Sequence, residues 1–171
     1  MAFNLDYNQI NQIEDLKPGA YECVVSDYEF KTTMSGSQCI QVTYTIRNDF
    51  TQAGQNQKIW HSIWKVKDPS ATNNLDGYLA SPILELARAA KLPNGASFNN
   101  VSALLDAIVH SRKLPVKVTI KKEQYINNKG ETKTSTQVSK VEESQFSQVN
   151  HKYNEKAPSS FEPVSNDSIP F

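Results

Sequence analysis

Gln57-Lys-Ile-Trp-His-Ser-Ile-Trp-Lys-Val-Lys67 holds both tryptophans of the chain, Trp60 and Trp64, with Lys58, Lys65 and Lys67 on either side. Read as a strand, the stretch alternates sides. Ile59, His61, Ile63 and Lys65 point one way, and Trp60, Ser62, Trp64 and Val66 the other. A helix would also bring residues 60 and 64 onto one face. Lys58 to Val66 is short for a helix and has no cap, however, and isoleucine and tryptophan favour strands. One face of such a strand fills a core. The tryptophan face is then either a second buried layer, since aromatics dominate core burial, or two open π surfaces between cations, which is what single-stranded nucleic acid stacks on. The stretch alone leaves that choice open.

Working outward, the turn Lys17-Pro18-Gly19 opens a long apolar run from Ala20 to Thr33. Its apolar parity changes between Tyr21, Cys23, Val25 and Tyr28, Phe30, which predicts a bulge. Met34–Ser37 reads as a hairpin connection, and Cys39–Arg47 alternates cleanly, with Ile40, Val42, Tyr44 and Ile46 on one side. After the polar loop Asn48–Asn56 comes the tryptophan strand, so residues 20–67 form a three-stranded meander. Leu75–Leu92 carries a helical stripe, with Ser81-Pro82 near its start and Pro93-Asn94-Gly95 as its stop. Asn100–His110 is a second short helix, capped by Asn100 or Ser102. Strand pattern returns at Leu114, with Val116, Val118 and Ile120 opposite Lys117, Thr119 and Lys121. It turns at Asn127-Asn128-Lys129-Gly130 and runs back over Lys133–Val141. Residues 1–17 read as an arm with a short helix near Gln9–Asp15.

Three strands, a helical insert and a hairpin are the element order of a five-stranded OB-fold barrel with its helix between strands 3 and 4. The expected fold is therefore mainly β: such a barrel over residues 1–143, then a disordered tail over 144–171, where Ser, Asn, Gln, Pro and Lys replace the apolar pattern. A generic α+β sheet with the same order is the alternative.

The composition narrows the function. The chain of 171 residues has 18 basic and 18 acidic side chains, so any cationic surface has to come from local clustering. Two cysteines, Cys23 and Cys39, are too few for a disulfide framework and lack zinc spacing. No stretch approaches a membrane span or a signal peptide, and the chain reads as cytoplasmic. The three histidines have no metal-ligand spacing, and His61 reads as a solvated strand residue or a neighbour of a ligand. The acids are scattered and no glycine run could cradle a phosphate. No enzyme, metal or cofactor is expected.

The binding features are more coherent. Arg112, Lys113, Lys117, Lys121, Lys122, Lys129 and Lys133 gather around one hairpin that also carries Tyr125, while Lys31 and Arg47 flank the first two strands. Singly, such cations are edge charges. Interleaved with Tyr28, Phe30, Trp60, Trp64 and Tyr125, and with Lys65 beside the second tryptophan, they predict a phosphate track with stacking platforms.

The chain ends Asn166-Asp-Ser-Ile-Pro-Phe171. Its last residues, Asp167, Ile169, Pro170 and Phe171, resemble the C-termini of bacterial single-stranded DNA-binding proteins, which finish in an acidic stretch followed by Ile-Pro-Phe. Here Asp167 is the nearest acid and Glu162 lies further back. The Gly19–Tyr21 opening, the Ser-Gly turn and the Ile-Trp strand resemble single-stranded DNA-binding proteins of phages that infect Gram-positive bacteria, over roughly Pro18 to Val141. The resemblance implies a non-enzymatic protein that coats single-stranded DNA in phage replication or recombination, in the host cytoplasm, with the tip docking replication or recombination proteins. Homo-oligomerisation fits a single small OB domain. A protein-interaction adaptor with an OB-like body, or an RNA-binding OB domain, are the competing readings.

Overall fold

The structure is a computed structural model that describes residues 16–153. The expected helix near Gln9–Asp15 and the tip residues Asp167, Ile169, Pro170 and Phe171 lie outside the described residues.

Ile59 and Ile63 are buried while Trp60 and Trp64 stay open, and this alternation fixes the two faces of the sheet. Five strands make one antiparallel sheet: β1 (Gly19–Thr32), β2 (Gln38–Ile46), β3 (Lys58–Trp64), β6 (Leu114–Ile126) and β7 (Thr132–Glu143). Their order is β3-β2-β1-β6-β7. A small ladder of β4 (Asn74–Leu75) and β5 (Tyr78–Leu79) precedes α1 (Ala80–Ala89), and α2 (Val101–Val109) follows. The meander, the two helices and the final hairpin thus fall where the apolar pattern puts them. Helix α1 is shorter than the expected Leu75–Leu92, because residues 74–79 pair as strands around Asp76-Gly77, both at positive φ.

The inner face carries Cys23, Val25, Ile40, Val42, Tyr44, Ile46, Val116, Val118, Ile120 and Val141, all buried. They form one core with Ile83 and Leu86 of α1 and Leu104, Leu105 and Ile108 of α2. Asn100 caps α2, its Oδ1 accepting the Ala103 N–H at 2.8 Å. The β1–β2 register slips between Val25 and Asp27, so Ser26 is the bulge that the parity change predicted. Just before the bulge Val24 faces outward and Val25 inward by ordinary strand alternation, and both are fully buried.

The strands form an open sheet. β3 and β7 touch without a shared ladder. The free edge of β7 meets a side chain instead: Val141 N–H donates to Glu85 Oε1 of α1 at 2.6 Å. A helix carboxylate thus satisfies this buried N–H, which needs an acceptor.

Residues 144–153, expected as the start of a flexible tail, instead lie against the body. The expected boundary at 143/144 therefore falls inside the packed part. Arg47, itself fully buried, is the cause: its guanidinium donates to the carbonyls of Phe146 at 2.6 Å and Gln148 at 2.7 Å. A buried cation needs fixed acceptors, and this segment supplies them.

Candidate nucleic-acid interface

The outer face, away from the helices, divides into two parts. On β3 it shows Trp60 and Trp64, 54% and 47% exposed, with Ser62 between them. Across the ladder on β2, Thr43 is paired with Trp60, Gln41 with Ser62 and Cys39 with Trp64. Beyond them on β1 lie Asp27, Glu29 and Lys31, where Lys31 Nζ is 3.0 Å from Glu29. The tryptophans therefore stand on a mostly polar strip, open to solvent, and the choice left by the sequence resolves against a buried layer.

Lys65 follows Trp64. Its ammonium donates to Gln38 Oε1 at 2.8 Å and lies 5.4 Å from the centre of the Tyr78 ring. With Gly36, Ser37, Gln38, Val66 and Lys67 it lines a recess beside Trp64. Gly77 sits under the Lys65 stem, where a Cβ would come 3.0 Å from its Cε, so this glycine leaves room for the lysine to lie flat.

On the hairpin, strand parity puts Lys117, Lys121 and Tyr125 on the outer face, with Lys133 opposite Tyr125. Lys122 has the other parity and donates to Thr136 Oγ1 at 2.6 Å. Lys121 pairs with Glu123 at 2.6 Å and Lys133 with Glu131 at 3.1 Å. These pairs are exposed and worth little, so they can give way to phosphate. Lys129 is exposed in the turn. The tryptophans and the lysine hairpin occupy opposite ends of the strand order, and β3 and β7 meet along the seam between them.

Besides Lys122, three expected site residues are elsewhere. Tyr28 and Phe30 share the inner face, because their register partners are Val42 and Ile40. The Tyr28 hydroxyl donates to Asp106 of α2 at 2.6 Å and lies 3.0 Å from Ser102 Oγ, which ties the helix to the sheet. Phe30 packs between Tyr28 and Tyr78, both at 5.8 Å between centroids, with half its surface open. The bulge at Ser26 moved both rings off the tryptophan face. Arg47 is the third. Its Nε and Nη2 meet Asp49 at 2.9 and 2.5 Å, which holds that carboxyl down at about 2. A guanidinium without exposed surface makes no phosphate contact. His61 also departs from expectation: it is largely buried on the inner face, its ring 6.4 Å from Tyr44, and burial lowers its basicity.

The second part of the outer face is covered by a strap, residues 144–153. Tyr153 reaches Ser26 and Thr45, which are buried although they face away from the helices, as is the neighbouring Val24. Glu22 accepts from Ser144 Oγ at 2.6 Å and from Gln145 N–H at 3.1 Å. Asp49 accepts Asn150 N–H at 2.8 Å, and Asn48 exchanges two bonds with the Lys152 backbone, at 3.0 and 2.7 Å. Phe146 stacks on Phe50 at 4.7 Å, and Tyr153 donates to the Arg112 carbonyl. The sequence offered one signal for this element, the isolated Phe146, Val149 and Tyr153 in a polar stretch, and composition outweighed it.

Among the described residues, no group of His, Cys, Asp and Glu is arranged to hold a metal ion, and no helix is long and apolar enough to cross a membrane. Residues 3–160 match a family described as a protein of unknown function (DUF669), and the chain belongs to that family. No curated protein matches the sequence.

Proposed function

We propose that this DUF669-family protein binds single-stranded DNA with little sequence preference, as an OB-type module, and coats exposed strands during phage replication or recombination in the host cytoplasm. The observation that carries the reading is the pair Trp60 and Trp64, both half open on one face while Ile59 and Ile63 anchor the same strand in the core. Large rings left in solvent on a rigid strand are platforms for bases. Strand order and the placement of both helices between the third and fourth long strands support the OB-type reading, since that barrel is often only partly closed.

In this reading Trp60 and Trp64 stack on bases, and Lys65, Lys117, Lys121, Lys129 and Lys133 approach phosphates, with Tyr125 and Lys31 at the margins. The protein acts by binding and performs no catalysis. Asp167, Ile169, Pro170 and Phe171 contact replication or recombination proteins, the Phe171 ring entering a small apolar pocket and Asp167 meeting a cation beside it. Titration of tryptophan fluorescence with dT and rU oligomers across salt tests the reading. Quenching by dT that weakens steeply with salt is expected. Fluorescence unmoved by either oligomer at low salt overturns it, and a preference for rU reassigns the ligand to RNA.

A further inference from the structure

The strap and the tryptophans lie on one continuous surface. Thr45, buried under the strap, is one step along the outer face of β2 from Thr43, the register partner of Trp60. Thr45 Oγ1 donates to Ser26 Oγ at 2.9 Å, and Ser26 Oγ donates to the Thr43 carbonyl at 3.0 Å, so the polar strip beside Trp60 continues under the strap. The strap is thus a protein segment seated on an extension of the proposed nucleic-acid face.

The strap also contains a group that can loosen it. His151 is fully buried, and its Nδ1 accepts the Asn48 backbone N–H at 3.1 Å. That bond requires a neutral ring with its proton on Nε2, and Nε2 finds no partner among the described residues. The Tyr153 ring stands edge-on at 4.7 Å. The charged groups facing His151 are Asp49 and Arg47 from the segment after β2 and Lys113 from the turn before β6. Arg112 lies behind Tyr153, its guanidinium 4.4 Å from that ring's centre. Asp49 is already committed to Arg47 and to Asn150 N–H. A proton arriving on Nδ1 would point at an N–H, beside two cations, with no acceptor to receive it.

We propose that residues 144–153 are a latch, opened by protonation of His151, whose release extends the single-strand track from Trp60 onto the strip around Thr45 and Ser26; this rests on the nucleic-acid reading above. Burial lowers the basicity of the docked imidazole, Arg47 and Lys113 act in the same direction, and Asp49 opposes them. The sign follows. An undocked strap has an ordinary histidine, near 6.5, and binds the proton more tightly than the docked one. Docking is therefore at full strength above that value and weakens as pH falls from it toward the docked value. Over that window the open fraction rises by up to about tenfold per pH unit, the limit for one proton.

The test uses the full chain and His151→Asn, whose side-chain oxygen can still accept the Asn48 N–H but does not titrate. Hydrogen exchange, corrected for intrinsic rate, is followed at the amides of Gln145, Asn150 and Lys152 between pH 7.5 and 5. The native chain should lose strap protection on acidification while amides of β1 and β2 keep theirs, and His151→Asn should show no such loss. The number of dT nucleotides covered per chain should rise over the same window in the native protein alone. Equal strap protection at both pH values, or equal loss in His151→Asn, overturns the latch. Strap opening with unchanged dT coverage overturns its control of the site. Absence of dT binding at every pH, alongside a normal strap transition, refutes the nucleic-acid reading and retains the proton-driven opening.

Discussion

The two parts of the outer sheet face are built from the same strands and end in opposite states. Around Thr45 the hydroxyls of Thr45 and Ser26 have protein partners, and residues 144–153 exclude solvent. Around Trp60 and Trp64 the described residues give no such cover, although the rings expose far more apolar surface than Val24 or Thr45 would. The difference is one of packing: the strap meets the buried Arg47, whereas the tryptophans stay open on their polar strip, as the proposed nucleic-acid reading requires.

The most disruptive way to break the covered part is Arg47→Met. Removing one member of a buried, hydrogen-bonded ion pair leaves Asp49 uncompensated and should cost about 3–5 kcal/mol, read as a lower urea midpoint. A midpoint equal to the native one would show that the strap is not organised by this residue. The two faces of β3 can be set against each other next. Ile63→Ala should lose about 2–5 kcal/mol of stability. Trp64→Ala should leave the urea midpoint close to native and instead weaken dT binding by about 1–3 kcal/mol. Reversal of that pattern would place Trp64 in the core.

Acid separates the two parts again. Arg47 holds the Asp49 carboxyl at about 2, below its ordinary 3.8. A depressed carboxylate contributes its stability above the ordinary value and loses it as pH falls from there to the depressed one. The urea midpoint should therefore decline across that interval in the native chain, and less so in Asp49→Asn; parallel profiles would remove Asp49 from the account. The smallest effect belongs to the hairpin. Lys121→Gln and Lys129→Gln should each reduce the log–log salt slope of dT binding by roughly 0.7, measured by fluorescence titration at several salt concentrations. A slope unchanged by both substitutions would move the phosphate track off the hairpin.

Much of this was legible because strand and helix periods are local. The alternation in Cys39–Arg47 and Lys58–Val66, the bulge near Ser26 and the Asn100 cap all rest on residues a few positions apart. What escaped depends on distant partners. Arg47 continues the alternation of β2 and carries a charge, so it reads as surface; its burial is decided by carbonyls about a hundred residues later. Tyr28 and Phe30 read as stacking residues until the bulge and register set their side, and then α2 claims the Tyr28 hydroxyl. The strap is nearly invisible in composition because many of its bonds come from its backbone, which every sequence has, and its few side-chain contacts, from Ser144, Phe146, His151 and Tyr153, depend on distant partners.

The position of Arg47 also bears on how the chain is made. Its acceptors at Phe146 and Gln148 lie 99 and 101 residues downstream. At a synthesis rate of about 5–20 residues per second, the β1–β2–β3 meander waits roughly 5–20 s for them. During that interval β2 carries a guanidinium with only Asp49 to meet it, and the groove that later receives the strap lies open. A nascent chain cannot close its outer face until nearly all of the described body has been synthesised, so completion of the last ten of these residues, and not of the sheet, is the step that seals the domain.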